Sequence, residues 1–350
     1  MDKKKENMPS RRKFLKQIAA GTLGLAMADK ILPSLKASPM FFPENKSKVI
    51  LVRHEKVISP TGEVQQEFLH QMMTRGMAEL SGKTKEAESW LAFFNPGERI
   101  GIKINTLGLN SITGTSYINH FKAVTSEITD GLTGSGIEEQ GIVIWERSDE
   151  ELINAAYRIQ REPGKLRVMG TRVERRGSPE GFHPTAYPMG NSTTRVHSLI
   201  TDECDGFINV PVLKTHGTAG ITGSLKTHYG SIDNPREFHA NNATHPGIPE
   251  INTIPVIRKK QKLIICDALL GVFDGGPRWN ADKIWPYGAL IFGTDPVAAD
   301  RILLNILDEK RKQEGYPLAE DNAIHIALAG EMGLGNHRME DIDLIEINLA

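Results

Sequence analysis

The sequence predicts an α/β protein: a mostly parallel sheet with helices on both faces, a Rossmann-like three-layer body carrying irregular insertions. Three observations carry this expectation. Short apolar runs, among them Val49-Ile50-Leu51-Val52 and Ile142-Val143-Ile144-Trp145, read as strands buried on both faces. Stretches of helical periodicity separate them, and strand–helix alternation builds covered parallel sheets. No internal repeat is present, which excludes solenoids and propellers.

Each element follows in chain order. After the strand at 49–52, Val64 to Leu80 and Lys85 to Phe94 read as helices. Arg99 to Ile104 is a strand introduced by Pro96-Gly97, and Tyr117 to Thr129 is helical. Gly141 to Trp145 is a strand. Ser148, followed by Glu150-Glu151, caps a short helix to Arg158. Residues 170–195, rich in Gly, Pro, Arg and Ser, break the rhythm as a long loop or small insertion. A strand resumes at Gly206 to Pro211. Residues 233–255, with Pro235, Pro246, Pro249 and Pro255, are again irregular. Leu263 to Asp267 and Ala289 to Gly293 are strands. Asp295 caps a helix through Leu307 with Pro296 in its first turn. Asn322 to Ala329 is a helix and Asp343 to Leu349 a last strand.

Composition narrows the function classes. The chain has 350 residues, 39% apolar and 24% charged, enough to build a core. Two cysteines cannot staple a small scaffold or hold a four-cysteine iron–sulfur cluster. Cys204 and Cys266 read as buried apolar residues, or as a pair in an oxidising compartment. The net charge of −1 gives no electrostatic reason to expect nucleic-acid binding.

The N-terminus reads as an address. Ser10-Arg11-Arg12-Lys13-Phe14-Leu15-Lys16 matches the twin-arginine export motif, and the apolar run Ile18 to Ala28 suits a signal segment. Ala26-Met27-Ala28 offers a cleavage site. The expected organisation is a signal peptide over 1–28, a linker over 29–47 and a single α/β domain over 48–350. Export would run through the twin-arginine translocase to the periplasm or beyond. The remaining chain would carry 35 basic against 41 acidic residues.

The chemistry concentrates in Pro211-Val212-Leu213-Lys214-Thr215-His216-Gly217-Thr218-Ala219-Gly220-Ile221-Thr222-Gly223-Ser224-Leu225-Lys226-Thr227-His228-Tyr229-Gly230, where Leu-Lys-Thr-His occurs twice. A strand leads in, and a short helix starts near Thr222. Ligands of open parallel sheets bind beyond the carboxyl ends of strands. Lys214 and Lys226 supply positive charge, and Thr222 and Gly223 open backbone N–H groups to an anion. His216 and His228 suit proton transfer. Lys103 and Asn105 end another strand on one face and join the ligand-binding set. Asp267 and Asp274, at a strand end and an Asp-Gly-Gly-Pro turn, are candidate orienting or basic carboxylates. His228, Asp233, His239 and His245 fall within eighteen residues and could ligate a divalent metal, although no helical His-x-x-x-His spacing is present.

Gly101-Ile102-Lys103-Ile104-Asn105, the Asn209 to His216 segment, Thr222-Gly223-Ser224-Leu225-Lys226, Asp274-Gly275-Gly276-Pro277 and Gly293-Thr294-Asp295-Pro296-Val297-Ala298-Ala299-Asp300 together resemble the uncharacterised family called domain of unknown function 362. The resemblance runs from about residue 48 to the end. It implies an α/β fold and brings no general reaction with it. The ferredoxin-like cysteine motifs common among relatives are missing here, and Thr227 stands where relatives commonly carry Asn.

Two functions fit these residues. One is an exported protein that binds a small anionic ligand at a Lys/His/Gly-rich site and uses Lys and His for anion binding and proton transfer. The alternative is a non-catalytic, cofactor- or metal-binding redox accessory protein.

Overall fold

The computed structural model describes residues 46–112, 116–172, 181–239 and 244–350. The expected signal peptide and nearly all of the linker lie outside the described residues.

In chain order the described elements begin with β1 (Ser47–His54), α1 (Gln66–Ser81), α2 (Glu86–Leu91), β2 (Ile100–Ile104), α3 (Asn119–Gly134), β3 (Ile142–Ser148) and α4 (Asp149–Asn154). There follow β4 (Arg167–Arg172), β5 (Phe182–Met189), β6 (Ser192–His197), β7 (Gly206–Val210), β8 (Val212–His216), β9 (Gly220–Ile221) and α5 (Gly223–Thr227). The chain continues through α6 (Thr244–Thr253), α7 (Pro255–Lys260), β10 (Gln261–Val272), β11 (Ile284–Gly293), α8 (Pro296–Gln313), α9 (Ile324–Glu331) and β12 (Ile342–Leu349).

The main sheet has the order β12-β1-β11-β10-β7-β2-β3-β4, with β8 and β9 attached beside β10. Its described pairings are parallel except those of β11 with β1 and β10, and that of β8 with β9. This is the mostly parallel sheet the apolar runs predict.

The period of the strands divides the core in two. Val49, Leu51, Val143, Trp145, Phe207, Cys266 and Ile291 face one side, against Ile248, Ile251 and Leu303 of α6 and α8. Ile50, Val52, Ile100, Ile102, Ile144 and Ile208 face the other, against Leu69, Met72 and Met77 of α1 and Phe121 and Ile128 of α3. Helices therefore cover both faces. In α1 the buried residues Leu69, Met72, Met73, Gly76 and Met77 recur at helical spacing. Gly82 closes that helix in the left-handed region, at φ 69°, returning its N–H to Ala78.

Two caps follow the sequence. The Ser148 hydroxyl accepts the Glu151 N–H at 3.3 Å, and the Asp295 carboxylate accepts those of Val297 and Ala298 at 2.8 and 3.0 Å. Three local expectations are corrected, and the 170–195 stretch is resolved as the small insertion of its two alternatives. The helix after Ser148 stops at Asn154 instead of Arg158, because Ala156 turns left-handed at φ 59° and Tyr157 drops into the core to bond Phe121 and Thr125. The irregular 170–195 stretch contains the β5–β6 hairpin. Residues 233–255 contain α6, despite Pro246 and Pro249. Pro246 sits in the first turn, where its missing N–H costs nothing, and burial of Ile248 and Ile251 overrides Pro249. β10 runs on to Val272, so Asp267 lies in mid-strand.

Candidate functional site

The chain leaves β2 for β3 and β4 on one side, then returns to β7 on the other and continues towards β10. The strand order thus reverses between β2 and β7, the place where open α/β sheets form a crevice. A cleft of about 530 Å³ opens there. Asn105 and Leu107 follow β2, Glu146 to Ser148 end β3, His216 ends β8, and Thr222 and Lys226 belong to the glycine-rich turn and α5. Tyr229, Gly230, Arg236 and His239 close the opposite wall.

Lys226 is the buried cation of the cleft lining, facing His239 and Tyr229 of that wall. Its side chain is buried, and its amine contacts His239 Nε2 at 3.0 Å and the Tyr229 ring at 3.9 Å. No carboxylate among the described residues pairs with it. Burial, aided by repulsion from Arg147, pushes its pKa down to about 7. His239 Nδ1 donates to the Pro235 carbonyl at 2.7 Å, which leaves Nε2 as an acceptor for the lysine. Burial and the Lys226 charge push His239 down to about 4, so the ring is neutral at pH 7.

His216 has the opposite tautomer. Its Nδ1 accepts the backbone N–H groups of Thr218 and Ala219, both at 3.3 Å, so the proton of the neutral ring resides on Nε2. Burial, then Lys226 and His239, push its pKa down to about 2. It is a fixed hydrogen-bond donor, and this corrects the expectation of a group that titrates near neutrality.

The floor is a buried charge network. Lys103 donates to the Ile104 carbonyl at 2.6 Å and forms an ion pair with Glu146, and both side chains are out of solvent. A Cβ on Gly230 would stand 3.1 Å from the Lys103 amine, so glycine is the residue that lets this lysine lie directly beneath the cleft. Lys214 donates to the Leu107 carbonyl at 2.7 Å and lies 3.5 Å from Asn105 Oδ1. Burial pushes it down to about 7, against the pull of Glu146 and Glu151. Arg147 pairs with Glu151, which burial and the Glu146 carboxylate push up to about 7. Lys103 and Lys214 therefore shape the floor and do not line the cleft.

Several expected site residues lie elsewhere. The anion position at the start of α5 is filled by the protein itself: Asp300 accepts the N–H groups of Ser224 and Leu225. Gly223, at φ 47°, makes room for it, since a Cβ there would meet that carboxyl at 2.6 Å. His228 is fully buried, with Nε2 donating to Gln261 at 2.9 Å, and burial pushes it down to about 4. Asp267 pairs with His120 at 2.5 Å inside the core, and Asp274 pairs with Arg311 at 2.9 Å. Asp233 pairs with Arg195 at 2.8 Å. Among the described residues no three His, Cys, Asp or Glu side chains converge to hold a metal ion, so His228, Asp233, His239 and His245 do not form the expected ligand set. Cys204 and Cys266 are both buried and free.

Sequence reading missed the β3–α4 wall, Glu146 to Glu150, and Pro235 and Arg236 across from it. The missed signal was position: Glu146, Arg147 and Ser148 directly follow an apolar run, at the carboxyl end of a parallel strand.

Residues 171–305 match the family model described as "Domain of unknown function (DUF362)". The match takes in β5 to β11 and the start of α8, including the Lys226 wall. No curated protein matches the chain. A crystal structure of a Thermotoga maritima protein from a structural genomics programme is similar at a TM-score of 0.43 and 12% identity, over 77% of this chain and 59% of that one. The chain thus spans less than two thirds of that protein's length.

Proposed function

We propose that the cleft binds a small anionic ligand, with Lys226 as its principal cation and the Lys226–His239 pair as its proton-transfer unit. The observation that carries this reading is the buried amine of Lys226 in the cleft lining, which no carboxylate of the described residues neutralises. A buried ammonium without a counter-charge costs several kcal/mol. A ligand carboxylate or phosphate removes that cost. Arg236 at the exposed rim, the Asn105 amide and the His216 Nε2–H add donors of the type an anion needs.

Linkage gives the reading a signature. An anion that binds the charged form of Lys226 raises its pKa, so binding takes up protons at pH 7–8. Calorimetry with phosphate, oxalate and malonate, in buffers of different ionisation enthalpy, tests this. The expected result is proton uptake, affinity that falls about tenfold per pH unit above 7, and loss of binding in Lys226→Met. Binding that survives Lys226→Met unchanged, or no binding of any of the three anions, overturns it.

We also propose that the chain is exported. The support is Arg11-Arg12 and the apolar run after it. Fractionation of the wild type and an Arg11→Lys/Arg12→Lys variant in a bacterium with a twin-arginine system tests this; an unchanged distribution overturns it.

A further inference from the structure

We infer that the ligand carries a carbonyl group beside its negative charge, and that Lys226 Nζ condenses with that carbonyl to form an imine. The inference rests on the anion-binding reading of the same cleft and adds a reaction to it.

The geometry first selects the nucleophile. The Thr227 hydroxyl donates to the Gly223 carbonyl at 2.7 Å, and that of Thr222 lies 3.4 Å from the Thr215 carbonyl. The Tyr229 hydroxyl donates to the Phe238 carbonyl at 2.9 Å. Cys204 and Cys266 are buried in the sheet core, outside the cleft. Against these tethered or distant groups, the Lys226 amine meets, among the described residues, an imidazole acceptor and an aromatic face.

The second observation is the arrangement around the amine. His239 Nε2 is held as an acceptor by the Nδ1–Pro235 hydrogen bond, so it faces the lysine as a base. His216 presents Nε2–H as a donor, and the two rings lie 6.2 Å apart between centroids. One imidazole thus accepts and the other donates. Imine formation uses that pair: an acceptor to relay the nitrogen proton, and a donor for the carbonyl oxygen. A pKa near 7 adds that much of the amine is neutral at physiological pH.

The step balances without a co-reactant. The neutral Lys226 amine attacks, and its lone pair forms the N–C bond as the carbonyl π bond opens. One nitrogen proton passes through His239 Nε2 to the oxygen, and the carbinolamine then releases its hydroxyl with the second nitrogen proton as water while C=N forms. The net change is one amine and one carbonyl to one imine and one water. The ligand's charge would lie against Arg236.

The test uses the wild-type chain with glyoxylate, pyruvate or 2-oxoglutarate. Sodium borohydride supplies the hydride that reduces a C=N bond to a stable secondary amine, and peptide mass mapping locates the adduct. The expected result is an adduct at Lys226 at pH 7.5, in about hundredfold excess over the exposed Lys165, because an ordinary lysine is only about 0.1% neutral there. Calorimetry with oxalate, which has no ketone or aldehyde, runs in parallel. Oxalate binding without a Lys226 adduct overturns the imine and leaves the anion site standing. Absence of the adduct together with no binding of phosphate, oxalate or malonate overturns the imine and the anion site together. An adduct at Lys226 no more abundant than at Lys165 also overturns the imine, because it reflects ordinary surface reactivity.

Discussion

The Asp300 carboxylate accepts the backbone N–H of Leu225 at 3.0 Å, across 75 residues of sequence, and so occupies the start of α5 from within the protein. A glycine-rich turn leading into a helix looks, in sequence, like a place for a foreign anion. Here the anion is a side chain of α8, and α5 is fastened to α8 by it.

Removing that carboxylate should be costly. Asp300→Ala leaves two buried N–H groups without acceptors and should destabilise by about 2–3 kcal/mol, read from chemical denaturation. Burial raises the Asp300 pKa to about 7, well above its value in an unfolded chain. Its contribution to stability is therefore fullest in acid and is lost as pH rises through 7. The gap between wild type and Asp300→Ala should narrow from pH 5 to pH 8. A gap that widens would contradict the raised pKa.

Lys226 should show a trade between stability and binding. Its folded pKa lies below that of a free lysine, so its penalty is full below pH 7 and vanishes above about pH 10. Lys226→Met should stabilise the ligand-free protein at pH 6–7 by about 1–2 kcal/mol, while removing anion affinity. The stability difference should fade by pH 10. Thermal melts across that range decide it.

The Lys103–Glu146 pair should behave as a unit. Either single change, Lys103→Met or Glu146→Leu, strands a buried charge and should cost about 3–5 kcal/mol. The double variant should cost less than either single. Additive losses in the double-mutant cycle would show that the two side chains act independently.

His228 separates scaffold from site. His228→Leu leaves Gln261 Oε1 one donor short but keeps the Asn209 amide on it at 2.9 Å. It should cost about 1–2 kcal/mol of stability and leave phosphate affinity unchanged. A variant that folds normally yet no longer binds phosphate would return His228 to the site.

The sheet was legible because its strands are apolar on both faces, and such runs stand out in any register. Asn105, His216, Thr222 and Lys226 were legible as cleft residues because they sit at or beyond strand ends, whereas His239 was read only as a metal ligand. Asp267 misled because the visible apolar run is shorter than the strand, which continues through Ala268 to Val272. His228 misled because its Leu-Lys-Thr-His matches that of His216, while the first copy ends a strand and the second lies in and just after a helix. Neighbours decide a histidine's tautomer and basicity, and no local pattern in the chain encodes them. The Glu146–Glu150 wall was hidden because its Ser148 cap explained the acidic residues too completely.

The β5–β6 hairpin grips the segment after Gly230: Arg195 of β6 binds Asp233 through its backbone N–H at 3.0 Å and its guanidinium at 2.8 Å, while Thr194 reaches Asn234 at 2.6 Å. That segment carries Arg236 and His239 into the cleft. Hairpin and segment form an attachment outside the main sheet, so both can be altered while the β2–β7 junction stays constant. Chimeras that exchange residues 181–197 together with 231–239, leaving β7 to α5 in place, would move the choice of ligand proposed for the cleft.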